Sequence, residues 1–203
     1  MRKLLILVII FCSYQKIQSQ EVYLQTGKNF TNYDYKSNSS NTSILQAGTG
    51  DFYEIGYVMT LKNEKFKYAF GLNLNEYNAI AGNTVSSYSW NTQYLGVQNS
   101  FSVSLVKKRG FEASANGGFG ISTLIYGKQV INGEYFDLSS QKEFSGFWIT
   151  NKLGVSASYN VDNDIYLSLG YAYSKSFNLS NNTDEKLSFN NNQIQFGVHF
   201  TFK

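Results

Sequence analysis

The sequence predicts an all-β chain folded as an eight-stranded antiparallel up-and-down transmembrane β-barrel. Three observations carry this. Apolar and small polar residues alternate with period two over long stretches. The segments joining those stretches alternate between long and tight. The composition is rich in Tyr, Phe, Gly, Asn and Ser and contains no proline, which suits strands and turns better than helices. A chain of 203 residues has room for one such barrel.

The N-terminus places Arg2 and Lys3 before the apolar run Leu4 to Cys12, followed by a polar stretch to Ser19 and Gln20. Basic, apolar, then small is the order of a secretory leader. Residues 1–19 are therefore expected to be a cleaved signal peptide, and residues 20–203 the barrel. No later segment approaches the roughly 18 apolar residues of a membrane helix. Cys12, the one cysteine, leaves with the leader, so disulfides and thiolate metal sites are not expected in the mature chain. Arg2, Lys3 and Lys16 leave as well, while every acid lies beyond residue 20. The mature charge is near zero, and nucleic acid is not an expected partner.

A less regular first strand is expected within Glu21 to Tyr35. Next, Tyr53, Ile55, Tyr57, Met59 and Leu61 alternate with Glu54, Gly56 and Thr60, and after a turn at Lys62 to Lys65 a second run alternates from Phe66 to Asn75. Leu95 to Leu105 and Phe111 to Ile125 form another hairpin across Lys107 to Gly110. A third joins Ile149 to Tyr159 with Ile165 to Tyr173 across Asp162 to Asp164.

The longer, Asn- and Ser-rich connections fall near Lys36 to Gly50, Ala79 to Ser87, Lys128 to Glu143 and Asn178 to Phe189. Long loops on one side and tight turns on the other, between strands apolar outside and polar inside, are the pattern of a membrane barrel. A soluble β-sandwich shares the alternation but turns its apolar face inward. Glycines on the polar face (Gly56, Gly71, Gly96, Gly118, Gly154, Gly170 and Gly197) favour a crowded polar interior. Aromatics near strand ends are expected as interfacial girdles: Tyr88, Trp90, Tyr126, Phe144, Phe147, Trp148, Phe177 and Phe189 at one rim, Phe66, Phe111 and Phe200 at the other.

The last strand sets Ile194, Phe196, Val198, Phe200 and Phe202 against Gln193, Gln195, Gly197, His199 and Thr201. Within it, Gln195-x-Gly197-x-x-Phe200-x-Phe202 resembles the C-terminal signal read by the barrel-assembly machinery of Gram-negative bacteria. With the leader and the loop alternation, the chain resembles the small outer-membrane barrel families, OmpA-like and OmpX-like, in the style of Bacteroidetes. That resemblance implies a cell outer-membrane location, both termini in the periplasm, contact with outer-membrane lipid and lipopolysaccharide, and engagement of the assembly machinery during insertion. Lys203 follows Phe202 where such barrels often end on an aromatic, and no periplasmic wall-binding domain is expected.

Barrels of this size have interiors that side chains fill. Glu54, Lys67, Glu112, Lys152 and His199 are expected there as a polar network, because buried charges need partners or water; a narrow conduit is the competing reading. His199 is the sole histidine. No Gly-x-Ser-x-Gly elbow accompanies it, and the sequence names no serine or carboxylate partner for it. No catalytic residue, cofactor or metal site is expected, since the loop acids Glu134, Asp137 and Glu143 lack calcium-loop spacing. Tyr135, Phe136 and Leu138 are the candidate contact residues of the loops, or else fold onto the barrel mouth. The expected role is non-enzymatic, structural or adhesive, through the outer loops and an outer-membrane partner. Transport of ions or small hydrophobic solutes is the alternative, and a lipid-modifying enzyme the third.

Overall fold

The computed structural model of the protein describes residues 20–36, 45–61, 65–82, 87–180 and 186–202. The expected leader with Cys12, most of the turn at 62–65 and the middles of three expected loops lie outside these residues. Strands follow one another as β1 (Gln20–Lys36), β2 (Gln46–Thr60), β3 (Phe66–Gly82), β4 (Ser87–Lys108), β5 (Phe111–Ile131), β6 (Glu134–Asp137), β7 (Phe147–Asp162), β8 (Ile165–Asn178) and β9 (Lys186–Phe202). Every pairing is antiparallel. Hydrogen-bonded order runs β4-β3-β2-β1-β9-β8-β7-β5, and β4 pairs with β5 to close the ring. β6 pairs only with the far end of β5, outside the ring.

The register fixes the shape of the ring. Stepping across Cα partners from Leu24 through Ile55, Leu72, Val97, Ile121, Ile149, Phe177 and Ser188 returns to β1 at Asp34. That stagger of about ten residues tilts the strands by about 40° and leaves an interior only side chains wide. Gln20 pairs with Phe202, so the ends of β1 and β9 meet at the rim that carries the tight turns.

Sequence parity decides which face looks in. Odd-numbered positions of β2 and even-numbered positions of β3 turn their apolar side chains outward, where Ile55, Leu72, Leu95, Ile121, Leu169 and Ile194 are exposed and Leu153 reaches 69 %. The sandwich alternative fails on this point, since the apolar face is the outer one.

Two expectations about the connections change. The strands run further than the alternation suggested: β3 and β4 pair up to Gly82 and Ser87, leaving only four residues, 83–86, between them. Segment Lys128 to Glu143, expected as loop, begins as a hairpin. Asn132 and Gly133 both take positive φ, 50° and 93°, the two-residue turn whose twist matches that of paired strands.

The girdle expectation needs correction as well. Phe66, Phe111 and Phe200 are exposed at the turn-side rim, and Tyr126, Phe147 and Phe177 near the loop side. Trp148 and Phe189, however, are fully buried inside the ring, and Trp90 and Phe144 pack against the cluster to which they belong. Trp148 shares parity with Thr150 and Lys152, and Phe189 with Asn191 and Gln193, so strand geometry carries both into the polar face.

Candidate functional site

The interior has three layers. On the loop side, Tyr33, Tyr77, Tyr94, Trp148, Leu187 and Phe189 form a buried cluster drawn from β1, β3, β4, β7 and β9. Trp148 stacks on Phe189 with centroids 4.3 Å apart and planes 9° from parallel. Tyr33 and Tyr77 lean on the same phenyl ring at 4.7 and 5.2 Å. Tyr33 and Trp148 find partners for their polar tips, as buried Tyr and Trp require. The Tyr33 hydroxyl donates to the Tyr77 carbonyl at 2.7 Å, and Trp148 Nε1 donates to the Phe144 carbonyl at 2.9 Å. Asn178 Nδ2 holds the loop carrying Phe144 through the Glu143 and Ser145 carbonyls, at 3.1 and 2.9 Å.

Beneath the aromatics lies a layer of carboxamides. Asn191 Nδ2 and Gln193 Nε2 both donate to Asn29 Oδ1, at 2.9 and 2.8 Å. Asn29 Nδ2 lies within bonding distance of the Asp51 and Glu76 carbonyls, at 3.2 and 3.1 Å. Gln195 Nε2 donates to Gln193 Oε1 at 2.5 Å, carrying the ladder down β9.

Towards the turn side the interior opens into a cavity of about 460 Å³ whose walls hold the expected charged residues. They form separate pairs rather than one network. Lys67 meets Glu112 at 3.0 Å. Lys152 lies 3.9 Å from Glu54 and donates to Gln193 Oε1 at 3.3 Å. Glu54 Oε1 accepts the Tyr23 hydroxyl at 2.5 Å, while Glu54 Oε2 has no hydrogen-bond partner among the described residues. Tyr23 lies along the wall over Gly56 and Gly71, where added Cβ atoms would collide with its hydroxyl, at 2.6 Å in the case of Gly71. No cavity-lining residue belongs to the aromatic cluster.

His199 has the two partners that the sequence could not name. Its Nδ1 lies 2.5 Å from Glu21 Oε1 and its Nε2 lies 2.8 Å from Ser168 Oγ. These belong to three adjacent strands: β1 supplies Glu21, β8 Ser168 and β9 His199. Of the other closing-strand residues, Gln195 and Gly197 face inward, whereas Phe200 and Phe202 are exposed on the outside at the turn-side rim.

The loop residues divide. Tyr135 is 68 % exposed, with Lys128 Nζ 3.5 Å from its ring centroid, and Phe136 is exposed beside it. Leu138 is 2 % exposed: its amide donates to the Gly127 carbonyl at 3.0 Å, and its side chain fills the space left by that glycine. Leu138 thus pins the hairpin down and offers nothing to a partner. Asp137 accepts the Ser139 amide at 2.9 Å and hydroxyl at 2.6 Å, which holds its carboxyl below the usual carboxylate range.

No protein-family model and no curated protein matches the sequence. Solved structures do match. The chain is similar to Neisserial surface protein A, at 12 % identity over 89 % of this chain and 97 % of that one, with a TM-score of 0.51. It is also similar to a major outer membrane protein from Thermus thermophilus, at 12 % identity over 90 % and 99 %, with a TM-score of 0.50. At such identity the likeness is one of fold: this chain has the antiparallel up-and-down barrel found in outer-membrane proteins.

Proposed function

We propose that the protein is an integral outer-membrane barrel that anchors a loop-side contact surface and does not conduct. The observation that carries this is the pairing of a sealed interior with a projecting hairpin. The aromatic cluster closes the loop-side end, while β5 and β6 extend beyond the ring and hold Tyr135 and Phe136 in the open. Exposed aromatics on a held loop are suited to a partner, a glycan or a surface.

Membrane embedding is supported by the apolar outer face and by strand length. A 17-residue strand at this tilt climbs about 40 Å, against an apolar band of about 25 Å. The excess lies on the loop side, where Asn78, Asn91, Asn190 and Asn192 take outward positions. In this placement the tight turns and both ends of the ring are periplasmic, and lipid and lipopolysaccharide surround the belt. Gln195, Gly197, Phe200 and Phe202 then serve as the signal for the assembly machinery. Transport would require the cluster around Phe189 to come apart.

The test uses Tyr135→Cys, since Cys12, the one native cysteine, lies in the expected leader. A membrane-impermeant maleimide should label it on intact cells, and the purified barrel should show no steady current across a planar bilayer. Labelling only after outer-membrane permeabilisation, or stable single-channel currents, would overturn the proposal.

A further inference from the structure

We propose that Ser168, His199 and Glu21 form an acyl-transfer centre at the turn-side end of the barrel, one that cleaves short acyl esters of small polar molecules. This goes beyond the loop-side role and does not depend on it.

The geometry is that of nucleophile, base and orienting carboxylate. A carboxylate only accepts hydrogen bonds, so Glu21 requires the proton of a neutral His199 to sit on Nδ1. Nε2 is then bare and accepts the Ser168 hydroxyl proton, across 2.8 Å. The imidazole plane is held by stacking on Tyr23, with centroids 5.6 Å apart and planes 26° from parallel.

Gly197 makes this approach feasible. It sits between Ser168 and Gln25 in the register of β8, β9 and β1, and a Cβ there would lie 2.5 Å from Ser168 Oγ and 3.1 Å from His199 Nε2. Ser100, Ser102, Ser114, Ser156 and Ser158 line the same cavity without an imidazole beside them. Hydroxyl abundance alone therefore does not account for the constellation.

Chemistry at this site balances without an added reagent other than water. Ser168 Oγ bonds to the ester carbonyl carbon while its proton passes to His199 Nε2, and the carbonyl π pair moves to oxygen. The Gln25 carboxamide, which lines the cavity from the position paired with Gly197, is the donor beside Ser168 for that oxyanion. Collapse breaks the bond to the leaving alcohol, which takes the proton from Nε2. Water activated by the same nitrogen then releases the acid and restores Ser168. Glu21 is a positioning residue: it holds the tautomer and stabilises the imidazolium. The cavity holds about 460 Å³ and is lined by serines, carboxylates and lysines, with Val58 and Ala69 as its aliphatic members, so it suits short acyl esters of polar alcohols.

The experiment uses the mature chain folded in detergent micelles, with a fluorophosphonate probe located by mass spectrometry and p-nitrophenyl acetate as substrate. The adduct is expected on Ser168, with hydrolysis lost in Ser168→Ala. His199→Asn should lower the labelling rate by about 100-fold or more. Glu21→Gln should lower it by about tenfold or more, and Glu21→Asp should retain more activity than Glu21→Gln. Ser139→Ala, in the loop at the opposite end of the barrel, should leave it unchanged. Heat-modifiable migration of each variant checks that the barrel has folded. No adduct on Ser168 above a heat-unfolded control, or a rate unaffected by His199→Asn in a folded barrel, would overturn the proposal. Neither result would touch the surface labelling of Tyr135→Cys.

Discussion

Trp148→Ala should be among the most damaging single truncations on the loop side, and its neighbour in sequence supplies the control. Trp148 is 1 % exposed, stacked on Phe189 and edge-on to Tyr94 at 5.5 Å. Truncating a buried tryptophan costs about 3–5 kcal/mol, of which aromatic pairing accounts for about 1. The indole hydrogen bond adds about 1 kcal/mol at most, because the Phe144 carbonyl keeps the Tyr94 hydroxyl at 3.3 Å and is not orphaned. The expected loss is about 4 kcal/mol, roughly a thousandfold in the folding equilibrium. Phe147 is 60 % exposed on the outer face, and Phe147→Ala should cost about 1 kcal/mol or less. The assay is urea unfolding in phospholipid vesicles, followed by emission from Trp90. That second tryptophan survives the substitution and packs against the same cluster. Equal losses for the two variants, or a larger one for Phe147→Ala, would refute the assignment of Trp148 to an internal seal.

Other consequences can be measured on the same footing. A double-mutant cycle on Lys67→Met and Glu112→Gln should give a coupling of about 1–2 kcal/mol, since the pair is bonded at 3.0 Å but only partly withdrawn from water. Gly197→Ala should destabilise by about 1–3 kcal/mol in the same unfolding assay, because its Cβ must displace Ser168 and Gln25. Leu138→Asp should release the β5–β6 hairpin, raising the rate of tryptic cleavage at Lys142 by about tenfold or more while the ring keeps its heat-modifiable migration. Under the assembly role proposed above, Phe202→Ser should reduce the amount of folded barrel recovered from the outer membrane with little effect on the stability of what is inserted, since the side chain is exposed.

The ring was legible because strand parity is a local property. Ile55, Leu72, Leu95 and Ile194 announce their face by the residues two positions away, and two of the three tight turns announce their places by Gly110 and by Asp162 and Asp164. The same parity places Trp148 with Thr150 and Lys152, even though aromatics near strand ends are common at membrane interfaces. Leu138 was not legible in this way, since its burial depends on an absent side chain at Gly127, in β5 across the hairpin. The constellation around His199 was out of reach for a different reason. Ser168 and Glu21 stand 31 and 178 residues away, and they meet it only through the stagger of the closed sheet. A stagger different by two residues would leave every inward residue inward and give His199 other neighbours.

The seam between β1 and β9 joins the first strand to the last, rung by rung from Gln20 with Phe202 to Lys36 with Lys186. Closure therefore waits on the last strand. Until β9 docks, the edge of β1 has no sibling to pair with, and 17 residues of backbone donors and acceptors must be shielded by something other than this chain. The interior layers share that dependence, because Phe189, Asn191, Gln193 and His199 all arrive on the closing strand. Closing the cylinder, seating the aromatic seal and delivering the histidine to its carboxylate are one event, so a chain truncated before Lys186 would lack all three at once.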